Sequence, residues 1–132
     1  MATVIPTVTD SVSRSGAVKQ AIWGPITQAN AVGDWVSWPE FCGKTFHVYG
    51  TFGAGATLSI QGSNETVPTN GNAVVISNWQ GTALQATTAG GNTALTARDM
   101  PLWVRPSLAG GDGTTTLTVA LAAHRQDMAT MG

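Results

Sequence analysis

The residues that could do nucleophilic or acid–base chemistry are few and widely separated in this chain. His47 alternates with the apolar residues of a predicted strand and His124 ends the last predicted strand, so both are expected at the surface. His47 has no carboxylate close by in the sequence, His124 is followed by Arg125, and no serine lies in a Gly-x-Ser-x-Gly elbow. The single cysteine, Cys42, forms no internal disulfide and is expected to be a buried or partly buried thiol. The sequence therefore predicts a protein that is not an enzyme.

Metal and cofactor sites are not predicted either. One cysteine and two distant histidines do not give a zinc spacing, and the seven acidic residues form no calcium loop. The glycine-rich stretches Gly53–Gly55 and Gly110–Gly113 lack the Lys-Ser/Thr pair of a phosphate-binding loop. They are predicted to be turns, as is the Asn-x-Thr sequence at Asn64–Thr66. No cofactor is expected.

The charge content limits the classes of partner. Charged residues make up 10% of the chain, the net charge is −1, and Lys19 and Lys44 are the only lysines. Nucleic acid is therefore not an expected partner, because phosphate binding needs clustered cations. No apolar run reaches the ~18 residues of a membrane span, and the first residues do not resemble a signal peptide. Few charges together with five tryptophans indicate either a surface that something else covers or a soluble domain whose surface is rich in threonine and serine.

The elements that carry these residues are predicted to be short β-strands. Apolar residues alternate over short runs that are bounded by glycine, asparagine, aspartate and proline, which is typical of a sandwich or a jelly roll. We expect an all-β, single-domain antiparallel β-sandwich of jelly-roll type with about eight strands. The sequence does not fix the strand order, so an Ig-like sandwich is the alternative. The expected strands are 17–23, 36–38, 45–52, 57–61, 73–78, 83–87, 93–97, 102–105 and 114–123.

Three of these runs give specific expectations. In 114–123, Leu117, Val119, Leu121 and Ala123 share the core face. The runs 45–52 and 57–61 are predicted to form a hairpin across Gly53–Gly55. The run 102–105 is expected to point Leu102 and Val104 into the core and to end at Pro106.

Three segments describe the domain organisation. Residues 1–16 form an N-terminal arm, residues 17–125 form the β-sandwich, and residues 126–132 form a C-terminal tail. Val4, Ile5, Pro6 and Val8 make the arm more apolar than an ordinary solvated end. The arm is either a frayed terminus or an extension that docks on a neighbouring subunit, and its apolar residues favour docking.

Tryptophan supplies the other candidate contact residues. Trp23 lies at a strand end against a Gly-Pro turn, and Trp103 alternates with Leu102 and Val104, so that Trp103 and Arg105 face away from the core. An outward tryptophan beside an arginine is typical of an interface hot spot. The alternative is a tryptophan packed beneath a neighbouring loop. Val4, Ile5, Pro6, Val8, Trp23, Trp103 and Arg105 are the predicted subunit-contact residues.

Two blocks of sequence carry a family resemblance. They are GTFGAGATLSIQGSN at 50–64 and VRPSLAGGDGTTTLTV at 104–119, with Gly33-Asp34 upstream. Together they resemble small structural proteins of tailed bacteriophages, over roughly residues 33–125. The resemblance implies a virion component, and we expect a capsid cement (decoration) protein on the outer capsid surface, assembled in the host cytoplasm. Its partners would be the major capsid protein and copies of itself.

Two alternatives belong to other classes. One is another virion part, such as a head–tail connector or a fibre-associated protein. The other is a carbohydrate-binding module, because Gln61–Asn64 and Trp103–Arg105 are similar to discoidin-type jelly rolls. This chain has Glu65-Thr66 where that family has Asp-Gly, which weakens the transfer of a sugar-binding role.

Overall fold

The computed structural model describes residues 3–10, 18–41, 43–77, 83–87, 93–97 and 101–124. In these ranges the chain has nine strands and a single turn of 3₁₀ helix, Asn70–Asn72. The strands are β1 (Thr7–Thr9), β2 (Val18–Thr27), β3 (Gly43–Thr51), β4 (Thr57–Ser63), β5 (Val74–Val75), β6 (Gln85–Thr87), β7 (Thr93–Ala97), β8 (Trp103–Ala109) and β9 (Thr116–His124). They form two antiparallel sheets, which confirms the predicted all-β sandwich. The jelly-roll class of that sandwich stays a prediction.

The first sheet has the strand order β1-β2-β9-β3-β7, with β9 at its centre. On β9 the predicted core face is confirmed: Leu117, Val119, Leu121 and Ala123 are all fully buried. The intervening residues point away from the core, as the two-residue period of a strand requires. The uninterrupted alternation of β9 therefore fixes which face of this sheet meets the other one.

The second sheet is built on β4. Strand β8 pairs with one edge of β4, and β5 and β6 pair with different parts of the other edge. Leu58 and Ile60 point inward and are fully buried, as predicted. They join Trp23, Phe46 and Leu121 in one apolar cluster that fills the space between the sheets.

The predicted hairpin between β3 and β4 is wrong. Strand β3 pairs with β7 and β9, whereas β4 pairs with β5, β6 and β8, so residues 52–56 cross from one sheet to the other. Alternation gives each strand an inward face in either sheet, so it does not distinguish a hairpin from this crossing. The crossing is tied to the turn before β9, because Gly53 N–H donates to Thr115 Oγ1 (3.0 Å) and Ala54 N–H donates to Asp112 Oδ2 (3.2 Å).

Two expectations about β8 are also wrong. Pro106 does not end the strand, which continues to Ala109, and Leu102 is exposed rather than buried. Val104 hydrogen-bonds in both directions with Val36, and the Pro106 carbonyl accepts from Gly33 N–H (2.9 Å). These bonds show that the Pro106 nitrogen faces the irregular segment 31–36. A proline fits in a strand at such an interrupted edge, because no regular ladder needs its missing donor.

The described part of the N-terminal arm lies on the body of its own chain. Strand β1 pairs with β2 at the edge of the first sheet. Val4 exchanges hydrogen bonds with the segment beside β8, since Val4 N–H donates to Val32 O (2.9 Å) and Asp34 N–H donates to Val4 O (2.8 Å). Residues 3–9 therefore run from an edge of the second sheet to an edge of the first. Cys42, residues 11–17 and the tail 126–132 lie outside the described residues.

Candidate protein-docking surface

Trp103 and Arg105 lie on the outer face of the second sheet, as the alternation along β8 predicts. Val104, between them, is buried in the core. The register of β4 and β8 places Ser63 opposite Trp103 and Gln61 opposite Arg105. The outer face therefore brings together residues that are about forty positions apart in the sequence.

Arg105 is held in a clamp of three side chains. Its Nε donates to Gln61 Oε1 (2.9 Å) and its Nη1 donates to Asn70 Oδ1 (2.7 Å). Its guanidinium carbon lies 4.3 Å from the ring centroid of Trp35, which is within the range of a cation–π contact. Trp35 reaches this position because the next residue, Val36, pairs with Val104. The clamp leaves Arg105 only 5% exposed.

The charge of Arg105 has no carboxylate partner among the described residues. The one ion pair in that part of the chain joins Lys19 Nζ to Asp10 Oδ1 (3.7 Å); Lys19 belongs to β2 of the first sheet and Asp10 directly follows β1. Burial lowers the pKa of the Arg105 guanidinium from its ordinary value. An arginine nevertheless stays protonated in proteins, so the clamp holds a cation between neutral oxygens and an aromatic ring.

A loop beside the clamp is organised by Glu65. Its Oε1 accepts from Ser63 Oγ, Thr69 N–H and Thr69 Oγ1, and its Oε2 accepts from Asn72 Nδ2, at 3.0–3.3 Å. The bond from Asn72, followed by those from Thr69, holds the pKa of Glu65 below its ordinary value. The backbone of Glu65 also accepts from Trp103 Nε1 (3.0 Å). The loop 64–72 is therefore fixed to β8 through Trp103.

Exposed apolar side chains surround this loop. Val67, at its tip, is 74% exposed, and Val74, Val75 and Leu102 are exposed as well. Val74 pairs with Gly62, next to Ser63 and Trp103, and Leu102 N–H donates to Asn64 Oδ1 (2.9 Å). Four of the six large apolar side chains that are exposed in the described residues thus lie at one end of the second sheet. Val75, opposite Gln61, shares the outer face with Trp103 and Arg105, whereas Val74, opposite Gly62, points to the other face of the sheet. We call this region the Trp103 surface; it consists of Trp35, Val67, Val75, Leu102, Trp103 and Arg105.

The N-terminal contact residues are placed differently. Val4 packs against the core, Pro6 is half-buried, and Ile5 and Val8 are exposed. Ile5 is the most exposed large apolar side chain described, at 77%. The arm therefore offers Ile5 and Val8 to a partner, while Val4 attaches the arm to its own body.

Trp23, the other predicted contact residue, is a core residue. It is fully buried, and its Nε1 donates to Asp34 O (3.0 Å). A side chain with no accessible area offers nothing to a partner, so Trp23 is not part of the Trp103 surface.

Several residues of the clamp and its loop were not found from the sequence. Gln61, Glu65 and Asn70 are ordinary strand and turn residues by local pattern, and their roles depend on contacts with β8. For Trp35, the sequence indicated only that it directly precedes a predicted strand, 36–38. No local spacing indicates that it covers an arginine seventy positions later.

The other residues whose side chains could take part in catalysis or metal binding do not belong to the Trp103 surface. His47 and His124 are exposed on the first sheet, as predicted. In the described ranges, no three residues among His, Cys, Asp and Glu are grouped so that they could hold a metal ion. The described residues also contain no helix that is long and apolar enough to cross a membrane.

Comparisons with known proteins do not identify a relative. No protein-family model matches the chain. No curated protein and no solved structure matches it either. Its function is therefore inferred from the surface described above and from the sequence resemblance.

Proposed function

We propose that this protein is a capsid cement (decoration) protein of a tailed bacteriophage. It binds the outer capsid surface, contacts the major capsid protein and bridges its subunits, together with further copies of itself. The observation that carries the proposal is the Trp103 surface, where the exposed side chains of Val67, Val75 and Leu102 lie near Trp103 and Arg105. Glu65 holds the loop that carries Val67 and is itself bonded to Trp103. The sequence resemblance over residues 33–125 supplies the viral context.

The physical properties of this surface suit contact with a protein. Removing apolar area from water contributes about 25 cal/mol per Å². Trp103 and Arg105 belong to the residue types that dominate binding energy at interfaces. Because the loop 64–72 is held by hydrogen bonds within the chain, little conformational freedom would be lost on docking.

A shell multiplies weak contacts. An interface of standard size covers about 800 Å² per partner, and icosahedral symmetry repeats it at many equivalent positions. The exposed Ile5 of the arm would add a second point of contact for each copy. Two modest contacts on one molecule raise the effective affinity, since the second forms at high local concentration.

The proposal is tested by co-sedimentation with purified capsid shells of the encoding phage that lack this protein. Val67→Glu places a charge at the exposed tip of the loop, and we expect it to weaken binding about tenfold or more, because that charge would be desolvated at the interface. Thr51→Glu adds the same charge at an exposed position of the first sheet and serves as the matched control. Wild-type protein that does not sediment with the shells would refute the function, and equal loss in both variants would refute the location.

A carbohydrate-binding module is the second candidate. The observation that favours it is a pair of half-buried tryptophans, Trp35 and Trp103, on one face of a sandwich beside a hydrogen-bonding arginine. Screening wild type and Trp103→Ala on a glycan array separates the two functions. Saturable binding to a defined glycan that the variant loses would favour the carbohydrate-binding module.

A further inference from the structure

The clamp leaves most of the Arg105 donors unused. A guanidinium has five N–H groups, and the hydrogen bonds to Gln61 and Asn70 use one on Nε and one on Nη1. Nη2 has no hydrogen-bond partner among the described residues. In the same part of the chain no fully buried side-chain nitrogen or oxygen is without a partner, so Nη2 reaches the surface. Nη2 of the fixed guanidinium thus keeps unused donors and some contact with solvent, while Arg105 as a whole is 5% exposed.

The charge of this group is also unmatched. Glu65 is the acidic residue of the adjoining loop, and its two oxygens accept from Ser63, Thr69 and Asn72 rather than from Arg105. No other carboxylate forms an ion pair with Arg105 in the described ranges. Since a largely buried charge without an ionic partner is costly, an external anion would be stabilised at this position.

We propose that the free Nη2 edge of Arg105 is a binding site for a carboxylate, which an aspartate or glutamate of the docked protein supplies. The planar guanidinium fork matches the geometry of a carboxylate, and a charge-assisted bond of this kind is roughly twice as strong as a neutral one. A monoanion is favoured over phosphate because the described surface supplies a single cation here. The assignment of the carboxylate to a capsid subunit rests on the proposed function. The carboxylate site itself is independent of that function.

Asn70→Asp is the most informative variant. Asn70 Oδ1 already accepts from Nη1 at 2.7 Å, so an aspartate of nearly the same shape would give Arg105 an internal carboxylate. We expect this variant to fold and to lose affinity for an external carboxylate by about tenfold, because the charge is already neutralised. Asn30→Asp adds the same charge at an exposed bend remote from the clamp and is the control.

The probe is sodium acetate, titrated into the ¹⁵N-labelled full chain at constant ionic strength, with sodium chloride in a parallel titration. The signals to follow are the Nε–H of Arg105 and the indole N–H groups of Trp35 and Trp103. Acetate should shift them saturably in wild type and in Asn30→Asp, and only weakly in Asn70→Asp and Arg105→Lys. The lysine variant keeps the charge and loses the fork.

Two outcomes would overturn the site: equal shifts with chloride, or unchanged acetate binding in Asn70→Asp. If Arg105→Lys does not fold, the comparison of Asn70→Asp with Asn30→Asp decides the question. Titration with glucuronate tests a sugar source of the carboxylate, and clearly tighter binding than acetate would overturn the protein source. No capsid is present in these measurements, so a failed co-sedimentation and a failed carboxylate site are independent results.

Discussion

At the scale of single residues, two carboxylates organise turns. Asp112 accepts from the side chain and the N–H of Thr114 and from Ala54 N–H, and Glu65 accepts from its own loop. These bonds, led by the Thr114 hydroxyl, hold the pKa of Asp112 below its ordinary value of 3.8. A carboxylate with a lowered pKa stabilises the fold while it is ionised.

Asp112→Asn should therefore lower stability near neutral pH, and its difference from wild type should shrink on acidification. The folded-state pKa lies below the unfolded value, so the contribution is complete above pH ~5 and is lost as the pH falls through the folded pKa. Urea unfolding midpoints between pH 7 and pH 2 measure this difference. Glu40→Gln, at an exposed turn, is the control, and a pH-independent difference for Asp112→Asn would contradict the role of these hydrogen bonds.

At the scale of elements, β9 is the centre of the first sheet and supplies a complete face to the core. Its partners β2 and β3 are distant from it in sequence, which makes the fold dependent on long-range pairing. The strand alternates fully buried and partly exposed residues along its length. Its inward residues are therefore the positions where a lost side chain leaves a cavity.

Leu121→Ala is expected to destabilise the protein by about 2–5 kcal/mol, because the lost transfer free energy adds to the energy of the cavity left behind. Thr116→Ala, at an exposed position of the same strand, should change stability by no more than about 0.5 kcal/mol. The free energy of unfolding from urea titration compares the two variants. Equal effects would mean that Leu121 is not a close-packed core residue.

At the scale of the whole molecule, the N-terminal segment joins the edges of both sheets. Val4 lies beside the segment next to β8, and β1 completes the edge of the first sheet. These contacts are made within one chain, while Ile5 and Val8 stay exposed. The arm can therefore hold its own body together and still present apolar side chains to a neighbouring subunit.

Removal of residues 1–8 is expected to leave a folded but less stable domain with reduced capsid occupancy. The loss of stability follows from the lost pairing with β2 and Val32, and the loss of occupancy follows from the missing Ile5 and Val8. Thermal unfolding and co-sedimentation measure the two effects separately. Ile5→Ser keeps the backbone contacts and isolates the exposed side chain, and full occupancy in that variant would exclude Ile5 from the interface.

The sequence by itself determined the strand class of the fold and most of the inward-facing residues. The two-residue period is a local property, so Leu117, Leu121 and Leu58 could be placed in the core before any strand pairing was known. The same period placed Trp103 and Arg105 on the outer face of β8. It could not place Leu102, because that residue lies just before the strand begins.

Only the tertiary structure decided which strands share a sheet and what surrounds Arg105. A connection of five residues permits either a hairpin or a crossing between sheets, and the choice between them depends on pairing with β7, β8 and β9. The clamp gathers Trp35, Gln61 and Asn70 around Arg105 from three separate parts of the chain. Contacts over such separations follow from packing as a whole, and no local spacing encodes them.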